Sequence, residues 1–200
     1  MTEFFAMGSC VATLAFVALV LYTHLKRREL NCASTSLSEY FSGRTRRVML
    51  AAYFCLSFAL VCAAVKIIPE QPSASISGVG LASGALILIA AACLIPVAVT
   101  ARSELDADRR SVRTRSMHRV LAHAAFTAIV IAMLVYSMLG LPSDHRYQRT
   151  VRVWAILVSL FAMMSFALLV KLPSGSRYYG LIQKLVVALV AIWVSISAWV

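Results

Sequence analysis

Apolar residues along this chain come in six long runs, not at helical or alternating spacing. The runs cover roughly Phe4–Tyr22, Val48–Ile68, Gly78–Thr100, Val120–Leu141, Val151–Val170 and Leu181–Val200. Each is about 20 residues long, which is what a helix needs to cross a hydrocarbon layer of about 30 Å. The runs are apolar all round, as spanning helices are, whereas helices of a soluble core show one apolar stripe. The alternation of a membrane β-barrel strand is missing. Lysine, arginine, aspartate and glutamate keep to the ends of the runs, where Lys66 and Arg152 are expected to snorkel outward. The predicted fold is an all-α membrane protein, a six-transmembrane-helix bundle forming one domain over residues 1–200.

The connections differ in kind. Residues 24–47 make the longest, and its Asn-Cys-Ala-Ser-Thr-Ser-Leu-Ser-Glu stretch can cap a short interfacial helix. Pro69 and Pro72 with neighbouring serines predict an outer turn. Residues 103–117 mix Glu104, Asp106 and Asp108 with arginines, a pattern for self-paired helix extensions. Leu141-Pro142 and Leu172-Pro173 end the fourth and fifth helices, because a residue before proline avoids the helical region.

Composition agrees with a lipid solvent. Hydrophobic residues make up 61% and charged residues 14%, against about 45–50% and 25% in soluble proteins. The net charge of +11 does not mark a nucleic-acid partner, because the cations sit in blocks between the runs. The connections after the first, third and fifth runs carry six, six and three of the 19 lysines and arginines, and only Lys66, Arg146, Arg149 and Arg152 lie on the opposite side. The positive-inside rule then puts both termini on the outer, periplasmic side of a bacterial cytoplasmic (inner) membrane. The acidic start Met1-Thr2-Glu3, with Lys26-Arg27-Arg28 after the first run, marks an uncleaved helix and not a secretory signal. Four of five cysteines lie inside apolar runs, without CxxC or histidine-rich spacing, so no metal and no disulfide is expected.

Few residues could carry chemistry. No ionisable group sits at the middle of a run, which argues against a transporter or channel. Gly80 and Gly84 form a GxxxG that lets helix backbones approach closely, read first as packing within the bundle. His123, about one turn inside the fourth run, is a candidate haem or chlorophyll ligand, with an interfacial histidine bonded to a carbonyl as the plainer reading. Ser38, Glu39, Asp106 and His118 fall on one membrane face and could serve an interfacial hydrolase of lipid ester or amide bonds. The plainer reading is a network capping helix ends, with Ser38 as the cap and Glu39 accepting from a backbone at a helix start. Arg46, Arg47, Arg109 and Arg110 are candidates for anionic lipid, and Arg146 and Arg149 for lipid phosphate or a partner protein.

A family resemblance rests on three short stretches. Leu37-Ser38-Glu39-Tyr40 with Gly43, the acid-bearing third connection leading into His118, and Gly180-Leu-Ile-Gln183-Lys184 followed by Trp193 resemble segments of a bacterial membrane family known as domain of unknown function 998. The resemblance implies a six-helix fold over nearly the whole chain and a possible polar cluster, and it implies no reaction. The functional expectation is an integral membrane protein without cofactor: a non-catalytic accessory or structural subunit that packs against a larger membrane complex or anionic lipid. The alternatives are the hydrolase and the pigment- or haem-binding subunit.

Overall fold

The structure is a computed structural model that describes residues 2–41, 43–69, 74–101, 112–141, 146–173 and 175–199. Six long helices carry the fold: α1 (Thr2–Lys26), α2 (Arg46–Ile67), α3 (Ala74–Thr100), α4 (Val112–Val135), α5 (Arg146–Lys171) and α6 (Tyr179–Ala198). All six are long and apolar enough to cross a membrane, and no strand occurs among the described residues. The chain is an all-α, multi-pass membrane protein.

Each helix packs on its neighbour in sequence, and α6 closes the ring on α1 while also touching α2 and α4. Paired ends show the alternating course. Gly8 near the start of α1 lies against Cys62 near the end of α2. Thr100 at the end of α3 meets His118 near the start of α4, and Arg152 on α5 reaches Met138 beyond the end of α4. One end of the bundle therefore gathers the close of α1 and the starts of α2, α4 and α6; it is called the basic end below.

Small residues set the helix spacing. Ala52, Ala59 and Ala64 on α2, Ala90 on α3 and Ala132 on α4 are buried, so backbones come close where lipid gives no hydrophobic drive for association. Gly84 on α3 stands where a Cβ would run into the Ile68 side chain at the end of α2, with Gly80 buried one turn earlier. Hydroxyls tie helices together: Ser9 donates to Ala59 O at 3.1 Å and Ser57 to Ala91 O at 2.9 Å. Burial is uneven, with α2 the most enclosed helix and α1 and α5 leaving most of their surface to lipid.

Two charged residues at run ends behave differently. Lys66 does not snorkel outward. It is buried, and its Nζ donates to Ala198 O at 2.8 Å and Ser197 O at 3.3 Å. The last carbonyls of a helix lack partners and carry partial negative charge, so the end of α6 beside α2 draws the ammonium inward. Arg152 donates from Nη2 to Met138 O, a carbonyl of the π turn Tyr136–Gly140 that continues α4. Leu141, just before Pro142, is extended at φ −72°, ψ 133° and ends the helix there.

Candidate functional site at the basic end

Between α1 and α2 the chain folds back over the bundle. Leu37, Tyr40 and Phe41, spaced i, i+3, i+4 in a polar stretch, are each 1% exposed and plug the basic end. Phe41 meets Tyr53 of α2 edge-to-face at 5.1 Å, and His24 at the end of α1 stacks on Tyr40 at 4.5 Å. A turn of 3-10 helix, Leu37–Tyr40, opens with Ser36 as its cap: Glu39 Oε1 accepts from the Ser36 N–H at 3.1 Å and from its hydroxyl at 2.9 Å. The cap is thus Ser36, two residues before the expected Ser38. Gly43 then turns the chain at φ +55°, the left-handed region that favours glycine. Thr45 donates to Tyr40 O at 2.8 Å as α2 begins.

The start of α6 clamps this loop. The Leu181 N–H donates to Ala33 O at 2.8 Å, and Gln183 Oε1 accepts from the Leu37 N–H at 2.8 Å. Lys184 Nζ donates to Thr35 O at 2.6 Å and Cys32 O at 2.7 Å, and lies 5.5 Å from the Tyr40 ring centre. Gly180 lies flush with the backbone of Ser34 and Thr35, leaving no space for a Cβ. Burial pushes the Tyr40 phenol up to about 12, with Cys32 and Glu39 nearby acting in the same sense. Glu29, outside the clamp, has its carboxyl held below the usual range by its own backbone N–H and by Arg27.

Of the four hydrolase candidates, Ser38, Glu39 and His118 lie among the described residues, each with a partner close by. Ser38 Oγ lies 2.8 Å from Ser36 Oγ, within its own turn. Glu39 holds the cap. His118 Nδ1 lies 3.2 Å from Thr100 Oγ1, joining α4 to α3. Asp106, Arg109 and Arg110 lie outside the described residues. His123 sits on an exposed face of α4 with Nδ1 2.8 Å from Arg119 O. Among the described residues no three of histidine, cysteine, aspartate and glutamate gather to hold a metal. Arg146 and Arg149 stand exposed on the first turns of α5, at the other end of the bundle.

Sequence reasoning missed His24, Gln183 and Lys184 as partners of the loop. The Leu37-x-x-Tyr40-Phe41 spacing was the one signal that the loop is buried. Around it stand exposed cations, among them Lys26, Arg28, Arg44, Arg46, Arg47 and Arg119. A cleft of about 470 Å³ opens between the end of α1 and the start of α2, lined by Tyr22, Lys26, Arg27, Glu29, Arg44, Thr45 and Val48.

Two of the stretches that carry the family resemblance thus meet in space, Leu37–Tyr40 under Gly180–Lys184. No curated protein and no solved structure matches the chain. A family profile described as protein of unknown function (DUF998) matches residues 10–200, from the third turn of α1 through the whole of the loop clamp and α6, and the chain belongs to that family.

Proposed function

We propose that this protein is a non-catalytic, single-domain component of a bacterial cytoplasmic membrane that holds anionic lipid against its basic end and packs as an accessory or structural subunit. The observation that carries the reading is the cleft between α1 and α2, where Lys26, Arg27 and Arg44 face one pocket at the membrane interface. Basic pockets between spanning helices suit lipid phosphates. Only Glu29 among its lining residues is acidic, and it pairs with Arg27. Further support comes from the loop clamp, whose serine, glutamate and lysine groups are occupied in holding the loop. A subunit role draws on the broad apolar faces of α1 and α5.

Lipid extracted with the purified protein tests the first part. Enrichment in anionic classes over the bulk membrane is expected, and Lys26→Gln with Arg44→Gln should reduce it without changing the fraction that folds. Lipid matching the bulk membrane counts against the reading. For the second part, the apparent mass on native gels after mild extraction should exceed that of the isolated chain; an apparent mass that is always that of a single chain refutes the subunit role.

A further inference from the structure

On the other flank of α1, between it and α6, runs a groove of about 260 Å³. Phe16, Val17 and Val20 from α1 and Val187 from α6 form its apolar walls, and His24 and Lys184 stand at its head. Eight residues separate Phe16 from His24, so the groove follows α1 for about 12 Å. It runs from the interface towards the middle of the membrane, the path of a lipid chain with its head at the surface. Apolar cavities of about 150 Å³ already take up benzene, so this one has room for a length of hydrocarbon.

His24, at the head of the groove, has a ring nitrogen that lacks a partner among the described residues. His24 Nδ1 lies 2.9 Å from Val20 O. A carbonyl only accepts, so Nδ1 carries the proton, and Nε2 of the neutral ring is a lone-pair acceptor. Among the described residues, Nε2 is buried without a hydrogen-bond partner. Buried polar atoms of native proteins are nearly always satisfied, and an exception calls for an explanation. Lys184 does not supply it, because its ammonium is directed to the carbonyls of Thr35, Cys32 and Gly180 at 2.6, 2.7 and 3.4 Å. What the site wants is a proton donor on an apolar chain.

We infer that the groove between α1 and α6 binds a hydroxyl-headed lipid, such as a long-chain alcohol or a monoacylglycerol, whose O–H donates to His24 Nε2. A phosphodiester or a fatty carboxylate has no proton to give at neutral pH. The surrounding bilayer is the source of the ligand, and the exposed Ala188 marks the lip of the groove. This site is separate from the basic cleft and stands or falls without it.

The test uses the full chain in phosphatidylcholine nanodiscs, with radiolabelled 1-hexadecanol as probe and empty discs as background. Saturable binding of one alcohol per chain is expected. Its methyl ether, of nearly the same shape but without the proton, should bind about tenfold more weakly, as loss of a hydrogen bond to a buried acceptor implies. Ala188→Trp fills the lip and should abolish binding. His24→Phe keeps a ring against Tyr40 and removes Nε2, so alcohol and ether should then bind alike. No saturable binding, equal binding of alcohol and ether to the unaltered protein, or an alcohol preference that survives His24→Phe overturns the inference. Palmitate binding more tightly than hexadecanol also overturns it, in favour of an anion drawn by Lys184. If His24→Phe does not fold, the comparison of alcohol with ether on the unaltered protein decides.

Discussion

At the scale of single residues, the clamp depends on atoms that have no room to move. A Cβ on Gly180 would strike the Thr35 carbonyl, which is backbone and cannot rotate away. Gly180→Ala should therefore lower stability by about 1–3 kcal/mol, the usual cost of overpacking. Gly175→Ala, where a Cβ meets nothing within 4 Å, should leave thermal unfolding in detergent unchanged. Equal melting of the two variants would show that the loop yields freely. Tyr40 gives a prediction in pH. Its phenol is pushed up to about 12 in the folded chain, whereas an unfolded tyrosine titrates near pH 10. A raised folded value favours the neutral form, so this contribution is complete below about pH 10 and lost as pH rises towards 12. Melting temperature should fall over that window, and less steeply in Tyr40→Phe. Parallel curves for the two proteins would refute the assignment.

At the scale of helices, a directed chain of hydrogen bonds ties α6 to α5 through the π turn after α4. Trp193 Nε1 on α6 donates to Ser137 Oγ at 2.8 Å, in the π turn after α4. Ser137 lies 3.1 Å from Ser159 of α5, and Ser159 donates to Ala155 O at 2.7 Å. Because the Ser159 proton goes to Ala155, the Ser137 proton goes to Ser159. Both serines and Trp193 are fully buried. Ser137→Ala breaks two links and strands the indole N–H, so it should cost about 1–2 kcal/mol, more than the roughly 0.6 kcal/mol average for hydrogen bonds inside membranes. Ser159→Ala leaves the indole satisfied and should cost less. Unfolding in graded denaturing detergent checks the order, and a larger loss for Ser159→Ala would show that the chain runs differently. Within the π turn, Gly140 has the Tyr136 ring where a Cβ would sit, and Leu141 N–H reaches back to Tyr136 O at 3.0 Å.

At the scale of the whole molecule, the question is which way the bundle stands in the membrane. The connections after the first, third and fifth runs hold fifteen of the 19 basic residues, and by the positive-inside rule this asymmetry predicts that the basic end faces the cytoplasm. A reporter enzyme active only in the cytoplasm, fused after Val200, should be silent, whereas a fusion placed in the loop between α1 and α2 should be active. The reverse pattern would overturn the orientation and move both the cleft and the groove to the outer leaflet.

The six spans were legible in the sequence because lipid acts on a contiguous length of chain: about 20 apolar residues must follow one another before a helix can cross. Proline likewise acts on the residue just before it, which is why the end of the fourth helix at Leu141 could be read in advance. The short helix in the first connection was legible as well, though Ser36 and not Ser38 caps it, since several serines there offer the same local chemistry. Tertiary structure alone decided the rest. Leu37 meets Gln183 146 residues away, and Lys66 meets Ala198 132 residues away. No local period records such a pairing. By its place at a run end Lys66 is a cation bound for the interface, and only the carbonyls at the end of α6, brought beside it by the fold, hold it inside. The groove headed by His24 and Lys184 has no signature in the sequence, because it is a property of two helices brought together by the fold and of neither helix by itself.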